Sequence, residues 1–214
     1  PNAQGRKKHA GDAIFEDVNN DWQLDSKDMK FMGYIRPDKV GGIVNSFKYK
    51  GLTVRVVMDW AMGHVIDNGF KGQIMGSSRN NNNAIKDAMT NSWQSANDGT
   101  KYPKYTVQSD YDYQYRNHMR WDNQIGSSES GSTNNSLYFS KGDYLAFREV
   151  SLSYMLPSTW VRKIRLSGVE VFAGAYNIGY IKKYDGMFPE IYTGVDYGVY
   201  PRPRQYNMGV KINF

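Results

Sequence analysis

The chain has 214 residues, 40% of them hydrophobic and 14% aromatic, with a formal charge of +6 and no cysteine. The absence of cysteine excludes a disulfide framework and thiol chemistry, and no apolar run is long enough for a transmembrane helix. The charge does not make a nucleic-acid surface, because Arg6-Lys7-Lys8-His9 is the one basic run and phosphate tracking needs clustered charge.

Leucine is scarce, while Tyr, Gly and Asn are abundant. A low mean hydropathy remains compatible with a membrane barrel, whose lumen-facing residues dilute the lipid-facing ones. No signal peptide is visible, and Pro1-Asn2-Ala3-Gln4-Gly5-Arg6 reads as the interior of a longer polypeptide.

Ala13-Ile14-Phe15 leads into an acidic stretch from Asp17 to Asp28. Asp17, Asn19, Asp21, Asp25 and Asp28, with a backbone carbonyl from Gln23, follow the spacing of a calcium loop of about twelve residues. Such a loop wraps hard oxygen ligands around one ion, and Leu24 stands where it places an apolar anchor. Trp22 occupies the sharp-turn position that normally takes glycine, and Asp28 is shorter than the bidentate glutamate expected last, so any calcium site should be weak. The alternative is a loop whose Asp and Asn side chains cap turns without a metal.

Gly41 to Tyr49 and Leu52 to Met62 predict a hairpin around Lys50-Gly51. In its second strand Leu52, Val54, Val56, Met58 and Trp60 face one way, and Thr53, Arg55, Val57, Asp59 and Ala61 the other. Both charges share a face, which suits a water-filled lumen, and Trp60 falls where an interfacial aromatic belongs.

From Val65 to Ser140 strand signals are faint. Ala84 to Trp93 predicts a short helix, with Ile85, Ala88, Met89 and Trp93 at helical spacings. The remainder reads as a long excursion of the kind found outside outer-membrane barrels. Its aromatics, Trp93, Tyr102, Tyr105, Tyr111, Tyr113, Tyr115 and Trp121, could stack on a ligand or meet a partner, with Trp93, Tyr111, Tyr113, Tyr115 and Trp121 the substrate or lid candidates. Aromatics of this kind more often pack a long loop together.

Tyr144 to Leu156 is the next strand, with Val150, Leu152 and Tyr154 alternating with Ser151 and Ser153 until Pro157 ends the ladder. Ser158 to Ile164 makes a compact turn, and Leu166 to Tyr176 sets Val169, Val171, Ala173 and Ala175 opposite Glu170, Phe172, Gly174 and Tyr176. A further loop carries Tyr184-Asp185-Gly186 and Phe188-Pro189-Glu190. In the last strand Tyr206, Met208, Val210, Ile212 and Phe214 alternate with Asn207, Gly209, Lys211 and Asn213. A closing strand of an outer-membrane barrel shows this pattern, although an edge strand of a soluble sandwich shares the alternation.

The phrase from Gly142 through Tyr144-Leu145-Ala146-Phe147-Arg148 to Tyr154-Met155-Leu156-Pro157 resembles late strands of SusC/RagA-type TonB-dependent transporters. So do Ala175-Tyr176-Asn177-Ile178, the Tyr184, Gly186 and Pro189-Glu190 spacing, and Tyr200-Pro201-Arg202-Pro203-Arg204 running to Phe214. The acidic loop, the Tyr49-Lys50-Gly51-Leu52 turn and the segment from Trp93 to Tyr102-Pro103 fit in family order. Ala146-Phe147, Met155 and Trp22 depart from the commonest family residues.

The resemblance implies an all-β chain: residues 1–214 as the C-terminal portion of an antiparallel transmembrane β-barrel of about twenty-two strands, with long outward loops. The chain would supply roughly six or seven of those strands, and the plug domain would lie outside it. It further implies a multi-pass location in outer-membrane lipid, a SusD-like surface lipoprotein as partner, and contact with TonB through regions absent here. The cargo would be an oligosaccharide or peptide, and Tyr206, Met208, Val210, Ile212 and Phe214 would signal barrel insertion. Turn lengths place every long connection outside and every short turn inside, if the last strand runs inward. His9, His64 and His118 stand alone without triad or metal spacing, so enzymatic activity is not expected. Two alternatives are a soluble, calcium-bearing β-sandwich that binds carbohydrate, whose apolar face a second sheet would cover, and a passive outer-membrane channel.

Overall fold

The computed structural model describes residues 9–22, 26–71, 77–78, 86–100, 102–107 and 136–214. Five strands, β1 (Lys39–Tyr49), β2 (Leu52–Met62), β3 (Tyr144–Met155), β4 (Gly168–Lys182) and β5 (Gln205–Asn213), form one sheet in chain order. Every neighbouring pair is antiparallel. Two short connections lie at one end of this meander. Lys50 and Gly51 join β1 to β2 with φ of 44° and 88°, the paired positive values that a two-residue hairpin needs to match the strand twist. Glycine is required at position 51 for a second reason: an added Cβ would stand 2.7 Å from the Met155 carbonyl oxygen, and the Met155 amide holds the two strands at this distance by donating to the Gly51 carbonyl at 2.8 Å. Beyond β3, Pro157 leads into a helical turn at Ser158–Val161 and a 3-10 turn at Arg162–Ile164. At the other end the chain leaves β2 and β4 and rejoins β3 and β5 through the two long connections, residues 63–143 and 183–204.

The register gives each strand two chemically distinct faces, because residues directly opposite one another across antiparallel strands point the same way. Val56 pairs with Val150, Leu152 with Ala173 and Val171 with Val210, so one apolar face crosses the sheet. It is open: Phe47 is 63% exposed, Val210 58% and Met208 89%. The other face carries Arg55 and Ser151, Glu149 and Tyr176, and Glu170 and Lys211. Covering by a second sheet, which the soluble sandwich reading required, is not what these exposures describe. Leaving such a face in water forgoes about 25 cal/mol for every Å².

Two expectations change. Strand β4 continues to Lys182 rather than stopping at Tyr176, because the apparent break at Asn177 is absorbed within the ladder. There Asn177 takes φ of 51° and two residues, Asn177 and Ile178, stand opposite Arg148 alone. On its other side β3 carries the extra residue, since Phe147 and Glu149 pair with the adjacent Met58 and Val57. Arg148 is thus a β-bulge residue. Among the described residues the sheet has five strands, where six or seven were expected of the chain. Strands β2 and β3 pair directly, so no strand of the intervening segment lies between them.

By contact the chain divides into two units, and the sheet belongs to the one formed by Arg36–His64, Lys141–Glu190 and Tyr200–Phe214. The other unit comprises Pro1–Ile35, Val65–Ser140 and Ile191–Val199. Within it, buried Ala88, Tyr102 and Tyr138 form a small core with Tyr105 and Leu137 against it. The Tyr102 hydroxyl donates to Asp87 at 2.8 Å, and burial raises the Tyr138 phenol to about 12. The predicted helix is shorter than expected, Lys86–Thr90, with Ala84 and Ile85 outside the described residues. Asn91 donates its amide to Asp87 and Ser92 then bridges to Tyr102, so the chain leaves the helix before Trp93.

Candidate functional site

The described part of the acidic loop is held by its own Asp and Asn side chains. Asp17 accepts the amides of Trp22 at 2.8 Å and Asp21 at 3.3 Å, Asn19 accepts that of Asp21 at 3.1 Å, and Asp28 accepts that of Val18 at 2.8 Å. Trp22 has φ of 62°, so tryptophan adopts the left-handed conformation that glycine would adopt without steric cost. Its side chain is 93% exposed and gains no packing there. Gln23 and Asp25 lie outside the described residues. Among the described residues no group of three or more His, Asp or Glu is placed to hold a metal. The hard oxygen donors of Asp17, Asn19, Asp21 and Asp28 suit calcium chemically, and their partners include loop N–H groups, the Asn19 amide and Lys27, 3.6 Å from Asp21.

Of the aromatic candidates, Tyr111, Tyr113, Tyr115 and Trp121 lie outside the described residues. Trp93 is half-buried, with its ring where a Cβ on Gly11 would sit, 2.5 Å away. Its amide donates to the Tyr102 carbonyl at 3.0 Å. Trp93 therefore packs the loop unit. On the last strand Tyr206, Met208, Val210 and Ile212 share the open apolar face, and Phe214 follows the strand end at 93% exposure.

The densest polar constellation is one that sequence reasoning left unassembled. Arg55 and Asp59, the two charges expected to share a polar face, both find partners on β3. Arg55 lies 3.5 Å from Glu149. Arg148, projected by its bulge, grips Asp59 with two parallel bonds, Nε to Oδ1 at 2.6 Å and Nη2 to Oδ2 at 2.8 Å, the strong bidentate geometry. Arg148 Nη1 donates to Glu190 Oε1 at 2.6 Å and to the Tyr180 hydroxyl at 3.2 Å. Tyr180 donates to the same Glu190 oxygen at 2.6 Å, and Arg202 Nη2 stands 3.3 Å from Oε2. The Glu190 side chain is 1% exposed. Burial alone would raise its carboxyl, but hydrogen bonds from Arg148 and Tyr180 and the charges of Arg148 and Arg202 hold it below the usual glutamate range.

Packing closes around this carboxylate. Pro189 is fully buried, and the Phe188 ring meets Tyr180 edge-on at 5.9 Å. Tyr180 in turn meets Tyr144 at 5.9 Å, and Arg202 lies over Phe188 at 6.0 Å. Lys182 donates to the Gly186 carbonyl. The available sequence signal is the pair of motifs Pro189-Glu190 and Pro201-Arg202-Pro203, which place opposite charges on the two limbs of one loop.

A second cluster pins the top of β2 to β3 and β4. Gly142 donates its amide to the His64 carbonyl at 2.8 Å, and the imidazole lies where a Cβ at Gly142 would be, 2.3 Å from Nε2. His64 is 6% exposed and its Nδ1 has no hydrogen-bond partner among the described residues. Burial lowers its pKa against the opposing pull of Asp143. Asp143 accepts from the Gly63 amide at 2.8 Å and pairs with Lys183 at 3.1 Å.

No protein-family model matches the chain. It is 24% identical over 216 residues to TonB-dependent receptor P3 of Formosa agariphila, covering 95% of this chain and 19% of that protein. Against TonB-dependent receptor P39 of the same organism it is 24% identical over 213 residues, with the same coverages of 95% and 19%. In structure it is similar to a chain of the RagAB peptide transporter, with a TM-score of 0.63 at 22% identity, covering 84% of this chain and 17% of that one. The chain thus spans about a fifth of the length of the curated relatives it matches. The class defined by fold and faces is an open antiparallel sheet similar to part of the RagAB barrel. The more particular resemblance, to SusC/RagA-type TonB-dependent transporters, is borne out by sequence and fold alike. These relatives are named as receptors and transporters, not enzymes.

Proposed function

We propose that the chain is a C-terminal wall segment of an energised outer-membrane importer of oligomeric nutrients, glycans or peptides. The observation that carries this reading is the continuous apolar face across five antiparallel strands, exposed where lipid would cover it, backed by a polar face suited to a water-filled lumen. In the complete protein about twenty-two strands would surround a plug, TonB would engage a region outside this chain, and a SusD-like lipoprotein would close the outside. The end of the sheet with the long connections, and the Arg148 cluster with it, would then face outward.

The full-length protein should fractionate with the outer membrane and migrate as a heat-modifiable band. Uptake of labelled oligopeptides and oligosaccharides by cells should stop when TonB is deleted. Uptake that persists without TonB would instead indicate a passive channel, and a species soluble without detergent would overturn the membrane reading.

The acidic loop is proposed as a weak calcium site, supported by its ligand spacing and by the left-handed turn at Trp22. Calorimetric titration of calcium into the full-length protein should give heat that Asp17→Ala removes. No heat for the unaltered protein would leave the loop as a turn capped by its own Asp and Asn side chains.

A further inference from the structure

The Arg148 cluster holds more than a wall requires. As the extra residue of the β3 bulge, Arg148 is not needed to continue the ladder with β2. Burying a carboxylate with two guanidinium groups costs desolvation that well-packed apolar residues would avoid. Arrangements of this kind can fix one conformation among several, and the chain path shows which one. Glu190 is the last residue of the limb that leaves β4, and Arg202 lies on the limb that returns to β5. Between them runs Ile191–Val199, which belongs to the other unit. The pairing of Glu190 with Arg202 therefore ties the two limbs together, while Arg148 and Asp59 fasten that tie to β3 and β2.

We propose that Asp59, Arg148, Tyr180, Glu190 and Arg202 form a clamp that holds the limbs 183–190 and 200–204 against the sheet, so that opening the clamp frees both limbs together. Glu190 and Arg202 act as positioning residues. Their outward orientation rests on the importer reading, whereas the clamp itself does not.

The test is limited trypsin digestion of the full-length protein, in detergent and on intact cells. Lys183 and Arg204 are followed by residues trypsin accepts, while Pro203 protects the bond after Arg202. The unaltered protein should resist cleavage after Lys183 and Arg204. Glu190→Ala and Arg202→Ala should each be cut at both places at least about tenfold faster, with heat-modifiable migration retained. Because the two residues act through one tie, the double variant should be cut no faster than Glu190→Ala. Glu190→Gln, which keeps acceptors for Arg148 and Tyr180, should fall between.

If Glu190→Ala fails to assemble, half-exposed Arg202 carries the test alone. Cleavage of Arg202→Ala at the unaltered rate, or independent and multiplying effects of the two substitutions, would overturn the clamp. Protection lost in detergent but not on cells would uphold the clamp and reject the outward orientation.

Discussion

At the scale of single residues, the contacts at Gly142 and Glu190 make specific demands. A methyl group at Gly142 would meet the His64 ring at 2.3 Å, so Gly142→Ala should destabilise the full-length protein by about 1–3 kcal/mol, the usual cost of overpacking. Adding His64→Ala should recover much of that loss, and urea unfolding of both variants in detergent measures it. His64 also titrates with a defined sign. Its folded pKa lies below the ordinary value of 6.5, so the neutral ring is favoured by folding. That contribution is complete above the ordinary value and is lost as pH falls from there through the folded value. Urea midpoints of the unaltered protein should therefore decline on acidification below about 6.5, and His64→Ala should flatten that decline. Glu190 behaves oppositely to a weakly held acid: its carboxyl stays charged below the usual glutamate range, so hydrogen-exchange protection of the amides beside Glu190 and Arg202 should survive at pH about 4.3 and be lost only in stronger acid. The partners of Glu190 were illegible in sequence because they lie 42 residues away at Arg148 and across a loop at Arg202. Trp22 takes a left-handed backbone although it carries a bulky side chain. Glycine is favoured at a left-handed position by a cost of about 1–2 kcal/mol, which a loop anchored by Asp17 can meet.

At the scale of elements, alternation was the reliable signal. It assigned the faces of β2 and β5 residue by residue because strand side chains switch sides at every step, and nothing in those strands interrupts the count. It failed where the ladder itself is irregular, at Asn177 in β4, and it had nothing to act on in the segment after His64, whose described strands are only two or three residues long. The faces give a paired prediction. Val56→Lys puts a charge on the apolar face and should destabilise the inserted protein by about 2–4 kcal/mol, whereas Val57→Lys, on the polar face, should change stability far less. Folding titrations into lipid vesicles separate the two. Equal effects would mean that both faces meet the same solvent.

At the scale of the whole molecule, the sheet is unfinished. Strands β1 and β5 are its two edges, each with one side unpaired in the sheet, and such edges are intolerable in hydrocarbon. Expressed as residues 1–214 alone, the chain should aggregate or remain unfolded in vesicles. The same residues within the full-length protein should be protected from hydrogen exchange along β1 and β5. Open edges agree with the expectation, drawn from the family resemblance, that this chain supplies only part of a larger barrel. The tie between the two limbs of the last loop was not, because it depends on three-dimensional pairing of charges that alternation does not register.

The bulge at Arg148 has a consequence for how such a wall can change over time. Residues before and after it keep their faces, with Ala146 opposite Asp59 and Glu149 opposite Val57, so excising Arg148 would leave an uninterrupted strand still in phase with β2. In effect the arginine reads as an insertion that the framework tolerates. A charged attachment point can therefore be gained or lost without moving any side chain of the apolar face to the polar one, and loop architecture is free to diversify on a sheet that stays the same.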